Sequence, residues 1–88
     1  MLTCNEERYL VRKVENKYLL LDLKSGEGHL LDEIGSIIFQ EITSHDIGKA
    51  IDNLMNCFAN VSKSELMNDV NGFITELKKK GVLCGDDN

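Results

Sequence analysis

The stretch YLLLDLKSGEGHLLDEIGSIIF, residues 18–39, changes its hydrophobic pattern twice. An apolar run stops at Lys-Ser-Gly-Glu-Gly, a shorter run of His-Leu-Leu follows, and apolar residues then recur at helical spacing after Asp32. Ser25 and Gly26 lie where a two-residue hairpin turn requires positive φ. The stretch therefore predicts a strand, a tight turn, a second strand and the beginning of a helix.

The residues before Tyr18 predict one more strand. Residues 8–14 are rich in β-forming side chains, and Glu15 and Asn16 can turn the chain because Asn tolerates positive φ. Residues 17–23 then form the second strand, and the third covers residues 27–31. Three strands joined by two tight turns make an antiparallel meander, whose first and third strands are its edges.

The second half of the chain predicts three helices, each with a start signal. Asp32 is the expected N-cap of the first, and Ser44 that of the second. Ser62 and Glu65 match a capping box at the start of the third, and Gly81 is a natural residue to end it. The last two helices resemble a helix-turn-helix.

These elements define the predicted fold class. It is α+β, a three-stranded antiparallel meander followed by three helices, with a winged helix-turn-helix-like arrangement. The 88 residues are expected to form a single domain with an ordered core of roughly residues 8–84.

Composition argues against several classes of partner. The net charge is −5, and only two of the ten basic residues are arginine, which disfavours nucleic acid. No apolar run approaches the roughly 18 residues of a membrane span. The N-terminus lacks the basic start and apolar stretch of a signal peptide. We therefore expect a cytoplasmic protein that binds neither nucleic acid nor membrane.

No catalytic, cofactor or metal site is expected either. Three widely spaced cysteines without a Cys-x-x-Cys pair do not predict a disulfide framework or a zinc site. His29 and His45 have no nucleophile or carboxylate at a spacing that indicates a shared site. The SGEG segment leads into a strand, whereas phosphate-binding loops lead into a helix.

The order of these motifs resembles the PqqD-like family, the recognition elements of ribosomally made, post-translationally modified peptides. The resemblance extends over roughly residues 9–83 and departs from the family in two places: Asp32 stands where Asn is commoner, and Gly72 lies inside the third helix. The matching segments are residues 19–23, Ser25-Gly26, Leu31-Asp32-Glu33, residues 35–39, the helix over residues 47–58, and DVNGFITELKKKGVL, residues 69–83.

This resemblance implies a non-catalytic domain that binds a leader peptide. In the family, the peptide adds a strand to the third strand and rests against the third helix. Leu66, Phe73 and Leu77 are expected on the core side of that helix, whereas Met67 and Ile74 are expected in the groove. The complete expected peptide-binding set is Glu27, Gly28, His29, Leu30, Leu31, Met67, Val70, Asn71, Ile74 and Lys78. Lys78 and its neighbours are expected to attract acidic leader residues.

The expected partners are a precursor leader peptide and a maturation enzyme. That enzyme would be a radical enzyme, a leader protease or a lasso-type maturase. Two alternatives remain open on the sequence: a winged-helix-like DNA-binding regulator and an unrelated protein-interaction adaptor.

Overall fold

The computed structural model describes residues 2–85, and Met1 and residues 86–88 lie outside the described part. The α+β class, with an antiparallel three-stranded meander followed by three helices, is confirmed. In chain order the elements are β1 (Leu2–Cys4), β2 (Tyr9–Val14), β3 (Lys17–Asp22), β4 (Gly28–Leu30), α1 (Glu33–Ser44), α2 (Ile47–Cys57), α3 (Lys63–Lys79) and β5 (Leu83–Gly85).

The meander has the strand order β2-β3-β4, so β4 is an edge strand as predicted. Val14 pairs with Lys17, which leaves Glu15 and Asn16 as the two-residue turn between β2 and β3. The positive φ lies at Glu15, at 59°, and not at Asn16 where the sequence placed it.

The turn between β3 and β4 is wider than predicted. Asp22 N–H donates to the Glu27 carbonyl at 2.8 Å, so four residues, 23–26, lie outside the ladder where the sequence indicated two. Asp22 Oδ1 accepts from the N–H of Lys24 at 2.9 Å, and Gly26 takes φ of +79°. The Asp22 carboxylate therefore shapes the loop that follows β3, and the Ser25-Gly26 turn motif alone did not predict this hydrogen bond.

The helix starts follow the predicted caps in two cases of three. Asp32 Oδ1 accepts from Gly35 N–H at 2.6 Å, and Ser62 Oγ accepts from Glu65 N–H at 3.2 Å. Ser44 is instead the last residue of α1, and Asp46 caps α2 by accepting from Lys49 N–H at 2.9 Å. Ser44 and Asp46, two positions apart, are both good caps, so the pattern could not choose between them.

One face of the meander packs on α1 and helps to form a single core. Tyr18 and Phe39 meet with ring centroids 5.4 Å apart. The largest fully buried apolar side chains come from the sheet, all three helices and the C-terminal segment, namely Leu20, Ile42, Leu54, Val70 and Val82. Within residues 2–85, no helix is long and apolar enough to cross a membrane.

A second, two-stranded sheet joins the two ends of the described chain, and the sequence did not predict it. Leu2 pairs with Gly85 and Cys4 with Leu83 in antiparallel register. Leu2 and Leu83 are both buried in the core. The Tyr9 hydroxyl donates to the Lys80 carbonyl at 3.0 Å, which ties the end of α3 to the start of β2.

Candidate functional site

The outer edge of β4 presents backbone groups that no strand among residues 2–85 pairs with. Leu31 N–H donates to the Tyr18 carbonyl at 2.8 Å, and Asp22 N–H donates to Glu27. Residues alternate along an antiparallel ladder between pointing at the partner strand and pointing away from it. Gly28 and Leu30 therefore direct two N–H and two C=O groups away from β3.

A buried serine holds this edge against the helices. Ser36 Oγ accepts from Tyr18 N–H at 2.9 Å and donates to the Leu31 carbonyl at 3.4 Å. Because Ser36 is 2% exposed, its hydroxyl depends on the Tyr18 N–H and the Leu31 carbonyl for its hydrogen bonds. The serine thereby fixes the end of β4 relative to β3 and α1.

The other end of β4 is fixed by Asp22, which is also buried. The hydrogen bond from the N–H of Lys24, aided by the Arg8 guanidinium at 3.4 Å, lowers the pKa of the Asp22 carboxyl to about 2. Burial acts in the opposite direction but is outweighed. The carboxylate is therefore ionised at neutral pH and holds the loop that leads into β4.

Near the end of β4, the Phe73 side chain of α3 reaches α1 at a glycine. A Cβ atom placed on Gly35 would lie 3.5 Å from Phe73 Cε1 and 3.7 Å from Leu31 Cβ. Since His29 pairs with Leu20, whose side chain is in the core, His29 and Leu31 point to the helix side of the sheet. Phe73 and Leu31 therefore both lie near Gly35, which places Phe73 close to the side chain that directly follows β4.

An apolar cleft of about 160 Å³ opens between α1, α3 and the segment that precedes α3. Ile34 is 57% exposed at its mouth and is followed one turn later by Ile38. The cleft carries one charged group, the carboxylate of Asp69. Its lining consists of Ile34, Ile38, Phe58, Val61, Leu66 and Asp69.

The structure departs from the predicted division of α3 between core and groove at Ile74, which is 3% exposed and belongs to the core. Phe73, predicted for the core line, does pack against the core but is only partly buried. Val70, expected to touch both regions, is fully buried. The sequence predicted the apolar stripe correctly, but its centre lies closer to Ile74 than expected.

The remaining predicted groove residues of α3 lie on its other flank. Met67 is 43% exposed and lines a depression with Ile47 and Ile51 of α2. Asn71 and Lys78, four and eleven residues further along, extend the Met67 flank. The α3 flank toward α1 and β4 instead carries Asp69 and Phe73, which the sequence analysis did not assign to the site. The sequence did contain one signal for them, because the i, i+4 spacing of Asp69 and Phe73 places both side chains on one face of the helix.

The groups described above are suited to binding a peptide segment. Within the described residues, no group of three or more His, Cys, Asp and Glu side chains is placed to hold a metal ion. His29 lies on β4, and His45 lies at the far end of α1, 4.0 Å from Glu41. What this geometry can do chemically is pair with an extended backbone and bury apolar side chains beside it.

The outer face of the meander is also apolar. Leu10, Val14 and Leu30 are exposed there, and Leu19 and Leu21 are partly buried. Leu19 pairs with Leu30, so the apolar surface continues as far as the β4 edge. A strand added at that edge would place alternate side chains on the outer face and the others toward Phe73.

Comparison with known proteins identifies the same fold. A solved structure described as TbiB1 in complex with the TbiA(beta) leader peptide superposes with a TM-score of 0.83 at 19% identity, over 98% of this chain and 99% of that chain. A second, described as lasso peptide synthetase B1 complexed with the leader peptide, gives a TM-score of 0.82 at 22% identity, over 96% of this chain and 98% of that one.

No curated protein sequence matches the chain. The sequence model of the family described as coenzyme PQQ synthesis protein D (PqqD) matches residues 17–83. This match extends from the first residue of β3 to the first residue of β5 and includes the β4 edge and the cleft. The chain therefore belongs to the PqqD family.

Proposed function

We propose that this domain binds the leader segment of a ribosomally made precursor peptide as an added strand on β4 and presents it to a maturation enzyme in the cytoplasm. The observation that carries this proposal is the outer edge of β4, where Gly28 and Leu30 direct backbone donors and acceptors outward. At the end of this edge Leu31 and Phe73 both lie near Gly35, and Phe73 is one helical turn from Asp69, which lines the apolar cleft. Strand addition uses such an edge for affinity, and neighbouring pockets provide specificity. Both structural relatives described above are complexes with leader peptides.

The energetics require the cleft as well as the edge. Four backbone hydrogen bonds, at about 1 kcal/mol net each, supply about 4 kcal/mol. Micromolar affinity needs about 8 kcal/mol beyond an association cost of at least about 4 kcal/mol. Three apolar side chains, each near the upper end of about 1.5–3 kcal/mol, make up the remaining difference of about 8 kcal/mol.

The cleft is large enough for one such anchor. Its volume is about 160 Å³, and an apolar cavity of about 150 Å³ can hold a benzene molecule. We place one ring-sized or leucine-sized leader side chain there, and another against Phe73. The proposed peptide-binding set keeps residues 27–31 and takes Asp69 and Phe73 from α3.

Amide hydrogen exchange tests this placement residue by residue. In the isolated domain, the amides of Gly28 and Leu30 point to solvent, whereas that of Leu31 is bonded to Tyr18. Adding the leader of a precursor encoded beside this chain's gene should slow exchange at Gly28 and Leu30 and leave Leu31 nearly unchanged. Tight binding without protection of Gly28 and Leu30 would refute strand addition at β4.

Presentation to an enzyme needs a separate test. A lasso-type maturase fits the structural relatives better than a leader protease or a radical enzyme, since one relative is described as lasso peptide synthetase B1. Adding the domain in trans should accelerate processing of the precursor by the enzyme of the same gene cluster. Equal rates with and without the domain would argue against the delivery role.

A further inference from the structure

The flank of α3 that borders the cleft is acidic. Asp69 lines the cleft itself. Glu65 lies one turn before it, Phe73 one turn after it, and Glu76 seven residues after it, so these side chains share one face of the helix. All three carboxylates are on exposed residues. A peptide that runs between β4 and α3 would therefore lie along a row of negative charge.

The lysines of α3 are concentrated away from this row or at its far end. Lys63 lines the depression beside Met67 and α2, on the opposite flank. Lys78 follows the Met67 flank by helical spacing. Lys80 falls on the Phe73 flank, but it is the C-cap residue, beyond the last turn of α3. The lysine cluster is therefore poorly placed to attract acidic residues of a peptide in the cleft.

Charge on the strand side and on the whole chain acts in the same direction. Glu27 immediately precedes β4 and points, by strand alternation, to the same side as His29. The chain carries a net charge of −5. A ligand approaching the β4 edge thus meets a negative potential both at long range and at contact.

We propose that the leader this site accepts is basic, with a lysine or arginine close to the apolar residue that enters the cleft and facing Asp69. This inference rests on the proposed function and names the class of peptide that the site takes. It reverses the expectation drawn from the lysine cluster in the sequence. A carboxylate at the rim of an apolar cleft favours a cationic side chain whose hydrocarbon stem packs on the cleft wall while its charged end stays in water.

Selection from a randomised peptide display library tests the preference directly, because such a library samples acidic, neutral and basic peptides alike. The wild-type domain should enrich peptides that combine an apolar anchor with Lys or Arg within a few positions of it. The double variant Asp69→Lys, Glu76→Lys should enrich Asp and Glu at those positions. The matched control Asp52→Lys, together with Glu7→Lys, makes the same change of charge at exposed residues away from the cleft lining and should still enrich basic peptides.

Affinities measured with one selected basic peptide provide the second readout. Each exposed ion pair contributes up to about a fivefold change in affinity, so reversing two carboxylates should weaken binding by about tenfold or more. The loss should shrink as salt is raised above about 0.15 M. Equal losses in the cleft double variant and the control would overturn the inference.

The outcomes separate this inference from the proposed function. Selected peptides that protect the Gly28 and Leu30 amides but are neutral or acidic would overturn the preference and leave strand addition standing. Selected peptides that bind without protecting those amides would overturn strand addition, and the preference with it. Basic peptides that protect both amides and lose affinity in the cleft double variant would support both proposals.

Discussion

Replacing Leu30 with proline should strongly weaken peptide binding while the domain stays folded. The N–H of Leu30 points away from β3, so proline there removes no hydrogen bond of the β3–β4 ladder. Proline is tolerated on edge strands when its missing N–H faces outward. The Leu30 side chain is 58% exposed, so little buried area is lost.

The expected loss of affinity follows from the hydrogen bond that the variant cannot make. Leaving the peptide carbonyl that faces Leu30 without a donor costs about 1–3 kcal/mol. This loss corresponds to a rise in Kd of about 5-fold to about 150-fold. Calorimetric titration of the precursor leader into each variant measures it.

Two neighbouring variants make the comparison decisive. Leu30→Thr keeps the outward N–H and changes the same side chain, so it should bind far better than Leu30→Pro. Leu31→Pro removes the 2.8 Å hydrogen bond to the Tyr18 carbonyl and should lower the thermal midpoint well below that of Leu30→Pro. If Leu30→Pro binds the leader as tightly as Leu30→Thr, the peptide does not pair with β4.

Three further outcomes are expected. Ile74→Asp should unfold the domain, because it buries an unpaired charge. Phe73→Ser should weaken leader binding and lower the thermal midpoint only slightly. Equal losses of thermal stability in the two variants would contradict their placement. Ser36→Ala should lower the free energy of unfolding, measured with denaturant, by about 1–3 kcal/mol, because the Tyr18 N–H loses its acceptor. An unchanged denaturation midpoint would show that water replaces the Ser36 hydroxyl. The pKa of Asp22 is about 2 in the folded protein, against an ordinary value of 3.8. Its contribution to the free energy of unfolding should therefore be complete above about pH 4 and lost as the pH falls toward 2. In Asp22→Asn, the free energy of unfolding should change less with pH over this range.

Local signals in the sequence were sufficient for most of the meander and the helices. The Glu15–Asn16 turn and the caps Asp32 and Ser62 depend on residues within a few positions of one another, so a single sequence shows them. The sequence predicted too short a turn at Leu23–Gly26. The acceptor that shapes this turn is the side chain of Asp22, which is not part of the turn motif.

The features that the sequence did not predict depend on contacts between distant segments. The β1–β5 ribbon joins strands of three residues each across the whole length of the domain, and neither strand carries a pattern of its own. Ile74 and Phe73 are neighbours in a wide apolar stripe, and only packing against the other elements decides which of them faces the core. Residues from α1, α3 and the segment before α3 line the cleft, so no local sequence motif predicts it.

Pairing Leu2 with Gly85 also determines how this domain can be joined to another protein. Both ends of the described chain lie in the β1–β5 sheet, which is tied to the start of β2, and β2 lies two strands away from β4. An enzyme fused at either end would leave the β4 edge open. A short flexible tether would then hold the captured peptide at roughly millimolar local concentration near that enzyme. Placing the domain inside a loop of a host protein should work equally well, since the host chain would enter and leave at adjacent points.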